Sequence, residues 1–186
     1  MKIMSIEKFV FFGKYDKIII KWIKRRKYME KNKPRVFIGS SVESLDIAQA
    51  IQQCLNYEFY CDIWTQGIFK ASTTALDSLI SELKNFDFAI FVFGGEDVTK
   101  IRNLEYNSVR DNIIFETGLF MGRLGRERVF YIAPDNVKIH MPTDLNGFEA
   151  QKYQTEHPNI IASVATACLS IKMQMNKLGE LKNDFV

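Results

Sequence analysis

A chain of 186 residues with 47% hydrophobic content accommodates one well-packed domain plus an appendage, and excludes a tandem enzyme. Its formal charge of +3 hides an asymmetry: residues 1–33 hold eleven Lys and Arg against three Asp and Glu, while the remainder is mildly acidic. Cys54, Cys61 and Cys168 are odd in number, widely spaced and outside any C-x-x-C or Cys/His cluster, which argues against a disulfide framework or a zinc site and fits thiols in a reducing cytosol. With only His140 and His157 present, a histidine-based triad has little to work with, so carboxylate chemistry takes precedence.

Residues 1–33 alternate apolar and basic side chains at helical spacing. Phe11, Tyr15, Ile18, Ile19, Trp22 and Ile23 can share one face. The run Ile18-Ile19-Ile20 is too short to span a bilayer, and no small-residue cleavage site marks a signal peptide. The arm reads as a basic amphipathic helix packed on the domain or on a second copy, as a surface contact with a membrane, or as a loose extension.

From Arg35 the pattern alternates between strand and helix. Val36-Phe37-Ile38 is a buried strand, Gly39-Ser40-Ser41 a turn, and Leu45, Ile47, Ala48, Ile51 and Leu55 recur at helical spacing. Ser40 and Glu43, three apart, match a capping box. Residues 58–64 form a second strand, followed by a loop carrying the aromatics Trp64 and Phe69, and Ser72 or Thr73 can cap a helix through Leu76, Leu79, Ile80 and Leu83. Residues 87–93 are the most apolar strand and belong at the centre of a parallel sheet. Gly94-Gly95-Glu96-Asp97 turns the chain, and a polar loop to about Asn107 leads to the next helix.

That helix, starting near Arg110 and ending at Gly122 or Gly125, sets Glu116 in an apolar run with Asn112 one turn before it on the same face. Unpaired burial of a carboxylate costs roughly 2 to 5 kcal/mol, so Glu116 forms an ion pair with Arg110, Arg123 or a distant Lys, faces water, or marks a working site. Residues 129–133 form a fourth strand, 138–154 an irregular segment with edge-strand character, and 160–178 a last helix on the sheet.

The predicted fold is a three-layer α/β/α sandwich with a flavodoxin-like parallel sheet of four to five strands. In that strand order the crevice opens at the carboxyl ends of strands one and three, bringing together the Ser40-Ser41 turn, the Gly94 to Asp97 turn and, from strand two, the Trp64 to Phe69 loop. Hydroxyls and backbone N–H groups at a helix start suit a phosphate, whereas Ser is also a common cap. Neither G-x-G-x-x-G nor G-x-x-x-x-G-K-[ST] occurs, so a redox dinucleotide site and a P-loop are not indicated.

The ordered set Arg35-Val36-Phe37-Ile38-Gly39-Ser40-Ser41, Trp64-Thr65-Gln66-Gly67-x-Phe69, Asp87-Phe88-Ala89-Ile90-Phe91-Val92-Phe93, Arg110-Asp111-Asn112-Ile113-Ile114-Phe115-Glu116-Thr117-Gly118-Leu119-Phe120 and Pro142-Thr143-Asp144-Leu145 resembles bacterial TIR-like domains, specifically those of CBASS and Pycsar antiphage effectors, TIR–STING fusions included. The resemblance covers residues 34–178, leaving 1–33 as the arm and 179–186 as a tail. It implies hydrolysis of NAD+ at the nicotinamide–ribose bond, with NAD+ as substrate and no separate cofactor or metal, in a cytoplasmic, assembling protein. Glu116 matches the family's essential glutamate, and Ser40, Ser41, Trp64, Phe69 and Arg110 become candidate ligand contacts by the same likeness. Asp97 and Asn112 join them from their places at the crevice and beside Glu116. Such effectors usually carry a cyclic-nucleotide sensor, for which this chain has no room, so activation is expected from elsewhere, with residues 1–33 or a separate sensor protein assembling several copies. No nucleic-acid partner is expected. Rival readings are a non-catalytic TIR scaffold or nucleotide-binding module, and a nucleoside deoxyribosyltransferase-like enzyme that would consume nucleosides.

Overall fold

The computed structural model describes residues 33–67, 74–145 and 147–181. Apart from Lys33, all of these belong to the compact unit Pro34–Val186. The amphipathic arm, Phe69, Ser72 and Thr73, and the last five residues of the tail lie outside the described residues.

Five strands form the main sheet: β1 (Arg35–Gly39), β2 (Tyr60–Ile63), β3 (Phe88–Val92), β6 (Val129–Pro134) and β8 (Gln151–Tyr153). Their order is β2-β1-β3-β6-β8 and every pairing is parallel, the flavodoxin-like arrangement predicted. Connections run through helices α1 (Leu45–Leu55), α2 (Ala75–Glu82), α3 (Asp111–Leu124) and α4 (Ile160–Leu178). Strand β3 is central because it can be buried on both faces. Phe88, Ile90 and Val92 join a core layer under α1 and α4, while Ala89, Phe91 and Phe93 join the opposite layer under α2 and α3. In the second layer Phe37 of β1 stacks on Phe120 of α3, ring centroids 4.5 Å apart, which seats the Glu116 helix on the sheet.

Three local expectations are corrected. The polar stretch after β3 is a hairpin, β4 (Asp97–Ile101) and β5 (Leu104–Ser108), extended by the two-residue strand β7 (Ile139–His140) into a small second sheet. Its two-residue turn places Arg102 and Asn103 at φ 48° and 66°, the left-handed pair that matches the twist of antiparallel strands. The capping box at Ser40 and Glu43 does not form: α1 starts at Leu45 behind Ser44, and both predicted partners are used elsewhere. Helix α2 is capped by Thr74, whose Oγ1 accepts the Asp77 N–H at 3.0 Å. The irregular 138–154 segment has the edge-strand character expected of it: it supplies β8, the fifth strand, at the edge of the main sheet.

Candidate active site

The strand order reverses between β1 and β3, and the chemically active side chains gather at the carboxyl end of β1, on the α2/α3 side. A cavity of about 500 Å3 lies there. Its wall comes from the β1 turn (Ser40, Ser41, Val42), Trp64 after β2, the start of α2, and the first turns of α3 with Arg110, Asn112, Phe115 and Glu116. The surface is largely apolar with a few polar groups, the usual make-up of a small-molecule site.

Glu116 is half-buried and makes no ion pair or hydrogen bond with any other described residue. Burial alone pushes its carboxyl up to about 7 from the ordinary 4.5. Arg110, one of the counter-ions open to it on sequence grounds, turns instead to Glu43 through Nη2 and lies 3.8 Å from Asp97 through Nε. A desolvated carboxylate without a partner among the described residues is expensive to keep on a cavity wall, and carboxyls raised in this way are candidates for a functional role.

Two of the expected aromatics part ways. Trp64 packs against both core layers and donates its indole N–H to Ser40 Oγ at 3.1 Å, so it serves as core and cavity wall together. Phe69 lies outside the described residues. Asn112 lines the cavity beside Glu116, its side-chain oxygen accepting from the Ile113 N–H. Asp97 is exposed, opens β4 and touches Arg110 without lining the cavity.

Three residues missed by sequence reasoning belong to this neighbourhood, two behind the wall and one in it. Glu96 accepts hydrogen bonds from the hydroxyls of Ser41, at 2.6 Å, and Ser44, both on the β1–α1 connection. Glu43 fixes Arg110. Phe115 is 54% exposed although it lines the cavity, and the adjoining Val42 is 65% exposed. Glu43 and Glu96 pair with partners more than fifty positions away, so no local pattern announces them; Phe115 was legible as a neighbour of Glu116 but was read as burying it.

The family model described as "CAP12/Pycsar effector protein, TIR domain" matches residues 35–155, well over half of the chain. The chain belongs to the CAP12/Pycsar effector TIR family. This TIR domain is 42% identical over 147 residues to Pycsar effector protein PaPycTIR of Pseudomonas aeruginosa, an alignment covering 77% of the chain and 48% of the relative. It is 40% identical over 145 residues to CD-NTase-associated protein 12 of a Lachnospiraceae bacterium, covering 78% and 45%. Identity to Pycsar effector protein XpPycTIR of Xanthomonas perforans is 44% over 126 residues, covering 67% and 42%. The chain thus spans about half the length of the curated relatives it matches. Among the described residues of this TIR domain no helix is long and apolar enough to cross a membrane.

Proposed function

We propose that this TIR domain hydrolyses NAD+ at the nicotinamide–ribose bond, as an antiphage effector whose activity depends on assembly. The observation that carries the reading is Glu116: a carboxylate raised to about 7, without a partner among the described residues, on an apolar cavity of about 500 Å3. Nicotinamide leaves as a neutral base, taking the electron pair of the C1′–N bond, so its departure requires no general acid. Positive charge then grows on the ribose, and a nearby carboxylate stabilises it as in glycoside hydrolysis. Water adds at C1′ and loses a proton, giving ADP-ribose and nicotinamide. Trp64 and Phe115 offer aromatic surface for the base, and Asn112, one turn from Glu116, offers an amide to the sugar or carboxamide. NAD+ is consumed as substrate, and no separate cofactor enters the reaction.

Assembly belongs to the same proposal because the mouth of the cavity is apolar and is left uncovered by the described residues: Val42, Leu76 and Phe115 are 65%, 43% and 54% exposed. A second copy seated there would exclude water from Glu116. Similar proteins carry the name CD-NTase-associated protein 12, which supports the reading that a separate signalling partner acts upstream of this chain.

The test is to incubate the protein with NAD+ over a concentration series and measure nicotinamide and ADP-ribose, with Glu116→Gln alongside. Release that rises faster than linearly with protein and is lost in the variant supports the proposal. Release undiminished in the variant removes Glu116 from the reaction. A wild-type protein silent even when crowded leaves a TIR scaffold.

A further inference from the structure

We propose that Glu96 is a positioning residue of this site. It fills the N-terminal end of α1 with its own carboxylate, turning the substrate's diphosphate away from the β1 turn and leaving that turn to a ribose hydroxyl; the identity of the substrate rests on the NAD+ reading above.

The argument is one of hydrogen-bond polarity. A serine hydroxyl has one proton to give and two lone pairs to offer. The Ser41 proton goes to Glu96 Oε1 at 2.6 Å, and one Ser41 lone pair takes the Ser44 N–H at 3.2 Å. What Ser41 presents to the cavity it lines is therefore an acceptor. A diphosphate oxygen, itself only an acceptor at neutral pH, gains no hydrogen bond there and meets the Glu96 charge behind it, whereas a sugar hydroxyl brings the proton that the contact needs. Ser44 Oγ also donates to Glu96, so the helix end that would otherwise attract an anion already holds one.

The arrangement is built tightly. A Cβ on Gly94 would run into the Glu96 carboxyl and into Ser44 Oγ, so only glycine lets the β3 turn approach this closely. Arg110 supplies the complementary half. It lines the same cavity, and its two carboxylate partners, Glu43 and Asp97, each have side chains 49% exposed, so they can yield to a diphosphate.

The test titrates inorganic pyrophosphate into the full chain, into Glu96→Gln and into Ser41→Ala by calorimetry. Removing the Glu96 charge should tighten pyrophosphate binding by about tenfold or more, while Ser41→Ala, which keeps that charge, should bind as weakly as wild type. With NAD+ at a protein concentration that supports turnover, Glu96→Gln should lower kcat and KM together, each by about tenfold, because the cofactor-sized substrate now also binds in an unproductive pose. A turn merely loosened by the substitution would lower kcat/KM instead, and that result overturns the proposal. So does equal pyrophosphate affinity in wild type and Glu96→Gln, or a tenfold gain in Ser41→Ala. If Glu96→Gln melts below the assay temperature, Glu96→Ala is read by the same titration. A wild type that releases no nicotinamide sinks the NAD+ reading alone, since the pyrophosphate titration needs no turnover.

Discussion

At Glu116 one side chain links folding to chemistry through its proton. Its pKa is 4.5 in a solvated chain and about 7 in the folded one, so between those values the folded state holds a proton that the unfolded chain has lost. Stability therefore falls as pH rises through that window: the penalty is absent below 4.5 and complete above 7. Allowing for partial exposure, it is on the order of 2 kcal/mol. Glu116→Gln removes the penalty and should melt higher than wild type at pH 8, with the gap closing towards pH 5, as followed by circular dichroism. The catalytic expectation runs the other way. Nicotinamide release by wild type should climb with pH to a plateau, with a midpoint near 7, because only the ionised carboxylate meets a cationic sugar. Glu116→Gln should be slower by roughly a hundredfold to a thousandfold, the usual effect of deleting one preorganised electrostatic group. Initial rates across pH at NAD+ well below KM, where ionisation of the free protein governs, check both statements.

Elements are held at their ends by caps that can be removed one at a time. Asn159 precedes α4, and its side-chain oxygen accepts the N–H groups of Ile161 and Ala162 at 3.0 and 3.2 Å. Asn159→Ala should destabilise the domain by about 1 kcal/mol without changing NAD+ turnover at low temperature, read from urea midpoints. These caps also mark where the sequence was readable. Helix α4 was expected at 160–178 and is found there, because Asn159 and a long apolar period both announce it. Strand β3 was plain from its unbroken apolar run. The β4–β5 hairpin was not: its described side chains from Asp97 to Asn107 are exposed on both faces, so no alternation appears, and its turn uses Arg102 and Asn103 where glycine is the usual sign. At the site, Glu116 and its neighbours Asn112 and Arg110 share one helix start and could be grouped from spacing. Glu96 could not, since its meaning arises only when β3 delivers it against Ser41 and Ser44 from a distant part of the chain.

At the scale of the whole domain, the parallel neighbours β1–β2 and β3–β6 are joined through α1 and α3, so stability depends on the helices that cover the two faces. The family match stops at residue 155, yet α4 contributes Val164, Ala167, Cys168, Ile171 and Met175 to the layer shared with α1. A chain ended at residue 158 should lose cooperative melting altogether, because those five buried side chains have no substitute. Arg128 adds a second tie: buried over the Phe88 ring, it donates to the carbonyl oxygens of Gly179 at 2.8 Å, Asp87 at 3.4 Å and Leu178 at 3.5 Å. Arg128→Met should cost about 2 to 3 kcal/mol and lower Tm by several degrees in calorimetry, since those carbonyls lose a charged donor where α4 ends. All three cysteines lie at this same layer, Cys61 and Cys168 inside it and Cys54 at its margin, and burial keeps the Cys168 thiol protonated well past the ordinary thiol range. Cys54 is partly accessible and shares a surface cleft with Cys168, so an alkylating reagent takes Cys54 first and modifies the buried Cys168 and Cys61 more slowly, as the α1–α4 layer moves on the sheet. Mass-shift kinetics with iodoacetamide would therefore time the breathing of one side of the sandwich, leaving the Glu116 side silent.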